Sequence, residues 1–508
     1  MKYIDSILNK ITMYRLVLYY LLVLLGAAFV FGFFNIFIID PTALAFSTMV
    51  ITLVCMATNL VFARVFKAAP NVESVYITAL ILALIITPVT ASDHAGVGFL
   101  IFASVWAMAS KYIFAIGNKH IFNPAAFGVA LAALTINQTA SWWVAGNIPL
   151  LPFVLVGGLL VVRKVRRFDL VGSFALVALA TTVLTTPAFA TSGNFVTPIT
   201  QTLLYSSFFF LAFAMLSEPL TTPPTTGLRI IYGALVGFLF APNIHVDTFY
   251  LTPELALLIG NIFSYLVSPK GRLVLTLVGI EKMANDVYNF VFIPDRKISF
   301  RPGQYLEWTL AHAYPDNRGN RRYFTIASAP TEKNIILGVK FYDPASTFKH
   351  ALAAMRPGGT LVASHLAGGF VLPKNKNKKL VFIAGGIGVT PFRSMIHYLL
   401  DRRERRDIVV LYANKTKDDV AYKDIFDRAQ TELGIKTVHV LSGEKQPVPG
   451  MLIGSIDAKL IAQQIPDYRE RTFYISGPRG MVDAFTTTLT GMGVSRFRIK
   501  SDFFPGFA

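Results

Sequence analysis

The chain has 508 residues, enough for two or three domains, yet 54% of them are hydrophobic and only 15% are charged. Residues 1–268 hold 12 Lys or Arg and 8 Asp or Glu, whereas the remainder holds 35 and 21. This composition excludes a single soluble domain and predicts a charge-poor membrane part followed by a soluble, basic part. The net charge of +18 does not by itself indicate nucleic-acid binding, because a pyrophosphate site or an anionic membrane surface accounts for the basic residues equally well.

The lone cysteine, Cys55, lies in an apolar run. One thiol cannot form an intrachain disulfide, a Cys-ligated iron–sulfur cluster or a structural zinc site, and we expect no metal. The first apolar run, 13–39, is too long for the core of a signal peptide, and no cleavage-like sequence follows it. It predicts a first transmembrane helix.

Ten apolar runs predict a polytopic α-helical membrane domain over residues 1–270. They lie at 13–39, 43–66, 74–91, 96–114, 121–137, 148–163, 169–188, 199–217, 228–243 and 250–267. Alternate connections carry the basic residues, which are Lys2, Lys10, Arg64, Lys67, Lys111, Lys119, Arg163, Lys164, Arg166, Arg167, Arg229, Lys270 and Arg272. By the positive-inside rule we expect a multi-pass protein of the cytoplasmic membrane, with its N-terminus and everything after the last span in the cytoplasm.

Two proline-containing motifs interrupt the membrane part. Asn123 and a proline open the fifth predicted span, and Ser217-Glu218-Pro219 leads into the ninth through Thr221 and Thr222. Proline removes a backbone donor, which a membrane tolerates only where protein or a polar cavity satisfies the backbone. The motifs indicate either Pro-rich turns with a solvated carboxylate at Glu218, or a polar site within the membrane part.

The motifs F-N-P-A-A-x-G and S-E-P-x-T-T-P-x-T-T-G-x-R-x-x-x-G resemble the membrane subunits of Rnf and Na⁺-translocating NADH:quinone reductase complexes, the RnfD/NqrB family. The resemblance implies that Asn123, Glu218, Thr221 and Thr222 help to hold a flavin, with Glu218 where that family usually has Asp. The family also carries a covalent FMN on a threonine in an S-G-A-T-like motif, which this sequence lacks. We therefore expect a second flavin, FMN or riboflavin, to be held without a covalent bond.

Short β-branched and aromatic runs separated by turns predict an antiparallel β-barrel over 271–375. On a strand, Arg322 and Phe324 share one face while Tyr323 and Thr325 share the other. An arginine can bind a flavin pyrophosphate, an aromatic ring can pack on the isoalloxazine, and a hydroxyl can meet the flavin edge. The candidate flavin-binding residues are Gln304, Tyr305, Arg322, Tyr323, Phe324, Thr325, Ser328, Ser346 and Thr347.

Strands then alternate with helices, which predicts an α/β Rossmann-like domain over 376–508. A buried strand leads into a glycine-rich turn and a helix, where a dinucleotide pyrophosphate can approach the backbone; the alternative is close packing alone. Lys415 follows the second strand and suits the adenosine ribose or its 2′-phosphate, so NADH and NADPH are both compatible. The candidate nucleotide-binding residues are Gly385, Gly386, Gly388, Thr390, Pro391, Lys415, Gly477, Pro478, Phe503 and Phe504.

The motifs R-x-[YF]-[ST]-x-x-S, G-G-x-G-x-T-P and G-P-x-x-M, followed by an aromatic end, resemble the ferredoxin–NADP⁺ reductase superfamily. The resemblance covers the second half of the chain. It implies FAD in the barrel, NAD(P)H on the α/β domain, and hydride transfer where they meet, with Thr325, Ser476 and Phe503 as catalytic residues. Ser476 stands where that superfamily often has Cys.

Together these features predict a membrane-bound NAD(P)H:acceptor oxidoreductase that passes electrons through FAD to a flavin, a quinone or a partner subunit. One alternative is a flavin or ion transporter with a redox-sensing reductase domain. Another is a haem-containing transmembrane oxidase, which needs paired histidines inside helices. The membrane part has only His94, His120 and His245, each near the end of a predicted span.

Overall fold

The computed structural model describes residues 8, 11–36, 39–66, 72–116, 119–247, 249–268, 272–312, 316, 320–343 and 345–502. The chain divides into two compact units, Met1–Gly271 and Arg272–Ala508. The first unit is mainly helical, and the second contains two six-stranded sheets. The division coincides with the change from long apolar runs to short strands.

The first unit has twelve α-helices within the described residues. They are α1 Met13–Phe33, α2 Pro41–Val65, α3 Val72–Ile85, α4 His94–Ile113, α5 Pro124–Ile136, α6 Leu151–Val165, α7 Phe168–Thr185, α8 Pro187–Ser192, α9 Val196–Tyr205, α10 Phe208–Phe210 continued by the π-helical Leu211–Met215, α11 Thr226–Phe240 and α12 Pro253–Val267. Two small hairpins pair β1 Ala115–Ile116 with β2 Lys119–His120, and β3 His245–Val246 with β4 Phe249–Tyr250.

Several of these helices are long and apolar enough to cross a membrane. Five meet that length, namely Met13–Phe33, Pro41–Val65, His94–Ile113, Ile148–Val165 and Phe168–Thr185. A sixth span is possible by length if the bent pair Val196–Tyr205 and Phe208–Met215 is counted as one. Four further apolar helices are shorter, namely Glu73–Ile85, Pro124–Ile136, Thr226–Phe240 and Pro253–Val267. The described residues thus contain five or six helices of spanning length, rather than ten.

The eighth predicted span is not one straight helix. Its two parts, Val196–Tyr205 and Phe208–Met215, are bent by 62°. Ser206 between them is extended, and its hydroxyl donates to the Thr202 carbonyl at 2.5 Å and accepts from the Phe208 N–H at 3.2 Å. The serine hydroxyl therefore satisfies backbone groups that the break removes from the helical ladder.

Two glycines let α11 approach α7 closely. A Cβ atom on Gly233 would lie 2.5 Å from the Leu170 carbonyl oxygen, and one on Gly237 would lie 2.5 Å from that of Phe174. A spacing of four residues places both glycines on one face of α11, where small residues allow helices to pack backbone against backbone. A larger side chain at either glycine would separate the two helices.

An antiparallel half-barrel begins the second unit. Its strands are β5 Leu273–Ala284, β6 Val287–Pro294, β7 Tyr305–Thr309, β8 Arg321–Thr325, β9 Ile335–Lys340 and β10 Thr360–Ala367, with α13 Thr347–Ala353 before the last. The sheet order is β8-β7-β10-β5-β6-β9. Beyond β8, the Ala327 N–H donates to the Ile336 carbonyl at 2.9 Å, which joins the two edge strands. The predicted antiparallel architecture is confirmed as this half-barrel.

A parallel sheet with helices completes the unit. Its strands are β11 Leu380–Gly385, β12 Ile408–Asn414, β13 Lys436–Leu441, β14 Met451–Ile453, β15 Thr472–Ser476 and β16 Ile499–Asp502. The helices are α14 Thr390–Asp401, α15 Lys423–Leu433, α16 Ala458–Gln464 and α17 Arg479–Gly491. The order β14-β13-β12-β11-β15-β16 reverses between β11 and β15, and in such sheets ligands bind outside the carboxyl ends of the strands at the reversal. The Rossmann-like prediction is confirmed.

Polar contacts attach the half-barrel to the parallel sheet. The Tyr422 hydroxyl donates to Asn289 Oδ1 at 2.6 Å, and Lys340 Nζ lies 2.8 Å from Asp419 Oδ1. Burial by itself would raise the pKa of Asp419, but hydrogen bonds from Lys340 and Thr416 lower it below its ordinary value. Asp419 therefore stays ionised and holds the turn after β12 against β9.

Candidate functional site: a flavin strand and a nucleotide turn

The glycine-rich turn lies at the point where the strand order reverses. β11 ends at Gly385, and Gly386–Val389 forms a 3-10 turn before α14. Gly386 has a φ of +51°, a left-handed conformation that favours glycine, and nothing lies within 4 Å of a Cβ built there. A Cβ on Gly388 would instead lie 2.5 Å from the Ser476 carbonyl oxygen. The turn is packed against β15 at Gly388 and open at Gly386, where a phosphate can approach the backbone.

The predicted nucleotide-binding residues come together at this edge of the sheet. Thr390-Pro391 forms the first turn of α14, Ser476 ends β15, and Gly477-Pro478 leads from it to α17. Lys415 lies directly after β12, which pairs with β11. The candidates therefore lie at the carboxyl ends of three neighbouring strands, β11, β12 and β15, at one edge of the sheet.

One face of β7 and β8 presents aromatic rings and a hydroxyl. In the strand register, Tyr305 lies opposite Thr325 and Glu307 lies opposite Tyr323. The two tyrosine rings meet edge to face with centroids 5.7 Å apart, and the Tyr323 hydroxyl donates to Glu307 at 2.6 Å. Tyr305, Tyr323 and Thr325 therefore share one face, as the alternation of residues predicts.

The other face of β8 carries Arg322 and Phe324 against Phe348 of α13. The Arg322 guanidinium lies 5.2 Å from the centroid of the Phe348 ring, and the Phe324 centroid lies 6.0 Å from it. Arg322 is 1% exposed, and its Nη2 lies 3.1 Å from Asp316 Oδ1. A pyrophosphate at this strand would bind the same guanidinium as Asp316. Its recognition therefore depends on the Arg322 N–H groups that do not contact Asp316.

The hydroxyls of Ser346 and Thr347 organise the start of α13. Ser346 caps the helix by accepting from the Lys349 N–H at 3.3 Å. The Thr347 hydroxyl accepts from the Asp316 N–H at 3.0 Å and lies 3.2 Å from His312 Nε2. In this arrangement the two candidates stabilise the helix start and the loop that carries Asp316.

Gln304 and Ser328 support the strands around the predicted flavin site. Gln304 Oε1 accepts from the Arg301 N–H at 2.8 Å, and the Ser328 hydroxyl accepts from the Ile336 N–H at 3.1 Å. Both residues are buried. Their contacts fix the backbone on either side of Tyr305 and after Thr325.

Reasoning from the sequence missed Asp502. The Thr325 hydroxyl lies 3.4 Å from Asp502 Oδ2, and Asp502 lies opposite Ser476 in the pairing of β15 with β16. Asp502 precedes the aromatic tail, but no spacing in the sequence pairs it with Thr325, 177 positions earlier. Phe503 and Phe504, which the sequence predicts to bind the nucleotide, lie outside the described residues.

The residues at these two places fit the cofactors that the fold implies. The open backbone at Gly386 and the start of α14 suit a nucleotide pyrophosphate. On one face of β8 Arg322 supplies positive charge, and on the other the tyrosine pair and the Thr325 hydroxyl supply aromatic surface and a hydrogen-bonding group; a flavin nucleotide uses groups of these kinds. Within the described ranges, no three or more His, Cys, Asp and Glu residues are grouped as metal ligands.

In the first unit, three of the four candidates that the sequence predicts for a membrane part form one hydrogen-bonded cluster. Asn123 Nδ2 donates to Glu218 Oε2 at 2.9 Å, and the Thr221 hydroxyl lies 3.4 Å from the same oxygen. His120 Nε2 lies 3.3 Å from Glu218 Oε1. Thr222 is buried and donates to the backbone instead. The two proline motifs, which lie far apart in the sequence, are therefore joined through Glu218.

The cluster continues into the helices and borders a cavity. Asn261 Oδ1 accepts from the Asn123 N–H at 2.8 Å, and Asn261 Nδ2 donates to the Tyr232 hydroxyl at 3.0 Å. Neither Asn261 nor Tyr232 was predicted from the sequence. A cavity that is partly open to the exterior lies beside the cluster. Its polar lining residues are Tyr14, Ser74, Thr78, Asn123, Ser217 and Glu218.

Residues 382–487 match the family model of the oxidoreductase NAD-binding domain. A flavohemoprotein of Oceanobacillus iheyensis is 26% identical over 231 residues, which are 44% of this chain and 56% of that protein. An NADPH oxidoreductase of Mycobacterium tuberculosis is 27% identical over 226 residues, 43% of this chain and 57% of that protein. The solved FAD/NAD-binding domain of a Vibrio cholerae nitric oxide dioxygenase is 19% identical with a TM-score of 0.40, covering 45% of this chain and 97% of that one.

The chain spans just over half the length of these two curated relatives. The sequence likeness agrees with the strand orders, with the glycine-rich turn at the reversal, and with the Arg322–Thr325 strand. Residues 382–487 therefore match an NAD-binding domain of oxidoreductases, and the C-terminal half of the chain is similar to the reductase parts of NAD(P)H-dependent flavoprotein oxidoreductases.

Proposed function

We propose that the chain is a membrane-bound NAD(P)H:acceptor oxidoreductase that passes electrons from NAD(P)H through FAD to an acceptor at its membrane part. One observation carries the proposal. The flavin strand, which is β8, and the nucleotide turn, Gly386–Val389, belong to one compact unit, in which the Thr325 hydroxyl of the half-barrel lies 3.4 Å from Asp502 at the edge of the parallel sheet. The two candidate sites therefore meet where Thr325 and Ser476 lie.

The chain's own residues would bind and orient the reactants. The chemistry that bound FAD would supply is to accept two electrons as a hydride and to release them one at a time. The backbone at Gly386 and the first turn of α14 would hold the pyrophosphate of NAD(P)H. Thr325 would orient the flavin edge, and Ser476 would line the place of the nicotinamide. The tyrosine rings of β7 and β8 would exclude water from one side.

The acceptor is proposed to bind in the membrane part. The apolar helices and the alternation of loop charge support insertion in the cytoplasmic membrane, with the N-terminus and the reductase module in the cytoplasm. The cavity beside Glu218 and Asn123 combines apolar walls with a few convergent polar groups, as sites for planar organic ligands do. A quinone or a second, non-covalent flavin, FMN or riboflavin, fits that description, and a partner subunit could take the electrons onward.

The test uses the full-length protein purified in detergent. Expected results are extractable FAD, reduction of that FAD by NADH or NADPH under anaerobic conditions, and sustained turnover with ferricyanide. Reconstitution in lipid with a soluble quinone analogue then measures delivery to the membrane part, and acid extraction reports a second flavin. Protein that binds NAD(P)H without any turnover would support the redox-sensing transporter instead, and a Soret band would support the haem oxidase.

A further inference from the structure

We propose that an ion pair between Glu332 of the half-barrel and Arg393 of α14 positions the flavin strand against the nucleotide turn for hydride transfer. The inference rests on the proposed function. It adds two residues to which that function assigns no role, because neither lies on the flavin strand or in the glycine-rich turn.

The pair is bidentate and largely buried. Arg393 Nη2 donates to Glu332 Oε1 at 2.9 Å, and Arg393 Nη1 donates to Glu332 Oε2. The side chain of Arg393 is 7% exposed and that of Glu332 is 19% exposed. A planar guanidinium joined to a carboxylate through two parallel hydrogen bonds fixes both distance and angle, which a single contact does not.

Additional contacts fix both partners of the pair. Arg393 Nη1 also donates to the Ala327 carbonyl at 3.0 Å, and the Arg393 guanidinium lies 5.8 Å from the centroid of the Tyr422 ring. Glu332 accepts from the Ala329 N–H at 2.5 Å, and the Glu332 N–H donates to the Ala329 carbonyl at 3.0 Å. The carboxylate therefore belongs to a closed turn of the half-barrel, so a shift of Arg393 must move that turn.

The location of the pair links it to both candidate sites. Ala327 lies two residues after Thr325, just beyond the end of β8, and Arg393 lies three residues after Thr390, near the start of α14. Next to Arg393, the Ser394 hydroxyl donates to the Ser328 carbonyl at 2.7 Å. Only a few covalent bonds therefore separate this contact from the hydroxyl at the flavin edge and from the start of the pyrophosphate-binding helix.

Other contacts hold the two halves of the module together without the pair. The Tyr422–Asn289 hydrogen bond and the Lys340–Asp419 ion pair join the half-barrel to the region after β12 and use neither Glu332 nor Arg393. Loss of the Glu332–Arg393 pair should therefore leave the module assembled but allow α14 to shift relative to β8. A displacement of about 1 Å at the reacting atoms can lower a rate about a hundredfold.

The experiment measures the reductive half-reaction of Glu332→Gln, Arg393→Lys and the double variant in the full-length protein. The matched control is Glu432→Gln, which breaks an exposed Arg–Glu pair within α15 whose atoms are 3.1 Å apart. Stopped-flow absorbance gives the rate constant of FAD reduction, its dependence on NAD(P)H concentration, and the long-wavelength charge-transfer band. FAD content and the thermal midpoint are recorded for every variant.

The expected result is a rate constant about tenfold to a hundredfold lower in both single variants, with a weaker charge-transfer band and an unchanged dissociation constant for NAD(P)H. The double variant should be no slower than the slower single variant, because both changes remove one contact. Rates equal to those of the wild type, or losses that merely follow FAD content, would overturn the positioning role. Wild-type protein whose FAD is not reduced by NAD(P)H would instead refute the proposed function itself, and the positioning role with it.

Discussion

The Ser476 carbonyl lies so close to Gly388 that a Cβ atom on the glycine would approach that oxygen to 2.5 Å. The same atom would also lie 2.6 Å from the Gly477 Cα. Both neighbours are backbone atoms at the end of β15, beside β11 where the sheet order reverses, so neither can move aside as a flexible side chain would. A substitution here must shift the nucleotide turn relative to β15.

We therefore expect Gly388→Ala to lower stability by about 1–3 kcal/mol and to weaken NAD(P)H binding, because overpacking forces backbone shifts. The thermal midpoint and the concentration dependence of FAD reduction measure the two effects. Gly480→Ala is the control, since nothing lies within 4 Å of a Cβ at that helical position. Equal behaviour of the two variants would show that the turn tolerates a side chain.

A second prediction concerns the contribution of the Tyr422–Asn289 hydrogen bond to the stability of the module. Tyr422→Phe should lower stability by about 1–3 kcal/mol, because Asn289 is 2% exposed and would lose its partner in a buried place. The thermal midpoint, followed by the release of FAD fluorescence, measures the loss. The double variant Tyr422→Phe with Asn289→Leu should recover part of it, since neither polar group then remains unsatisfied. A single variant as stable as the wild type would contradict this account.

Local pattern was sufficient to predict the strands that build the site. β11 is a continuous apolar run ending in glycines, and the structure buries all six of its residues, as expected of a central parallel strand. In β8 the two-residue period separated Arg322 and Phe324 from Tyr323 and Thr325, and the contacts to Phe348 confirm that separation. In both strands the side-chain period alone determines which face each residue occupies.

Pairings between distant elements could not be predicted. Arg393 stands in the helix that the glycine-rich motif opens, but nothing in its spacing identifies Glu332, 61 positions earlier, as its partner. The break at Ser206 was hidden for a related reason. The run is apolar on both sides, and only the extended backbone at Ser206 divides it. Such features depend on tertiary register, which a single sequence does not contain.

Glu218→Gln should slow electron delivery to the proposed acceptor in the first unit about tenfold or more while leaving NAD(P)H:ferricyanide turnover unchanged. The carboxylate binds His120, Asn123 and Thr221, and hydrogen bonds to a charged group are worth about 1.5–3 kcal/mol. Reconstituted protein assayed with a quinone analogue and with ferricyanide separates the two steps. Glu73→Gln, which removes a half-exposed carboxylate paired with Arg15, is the control. Equal loss with both acceptors would place Glu218 outside the acceptor site.

His439 should make the reductase module less stable in mild acid. Its ring lies against Tyr412, with centroids 5.7 Å apart, and neither ring nitrogen has a hydrogen-bond partner among the described residues. Burial lowers the pKa of His439, and Lys423 lowers it further, while Asp427 opposes the change. The folded protein therefore binds this proton less readily than the unfolded chain, whose histidine has a pKa of about 6.5. Stability is retained above that pH and is lost as the pH falls below it.

The variant His439→Phe tests this sign, because a phenyl ring keeps the contact with Tyr412 but cannot take up a proton. We expect the thermal midpoint of FAD release to fall between pH 7.5 and pH 5.5 in the wild type and to fall less in the variant. His350→Gln, at an exposed position of α13, should retain the pH dependence of the wild type. If His439→Phe loses as much stability in acid as the wild type, groups other than this buried imidazole must take up the protons that destabilise the fold.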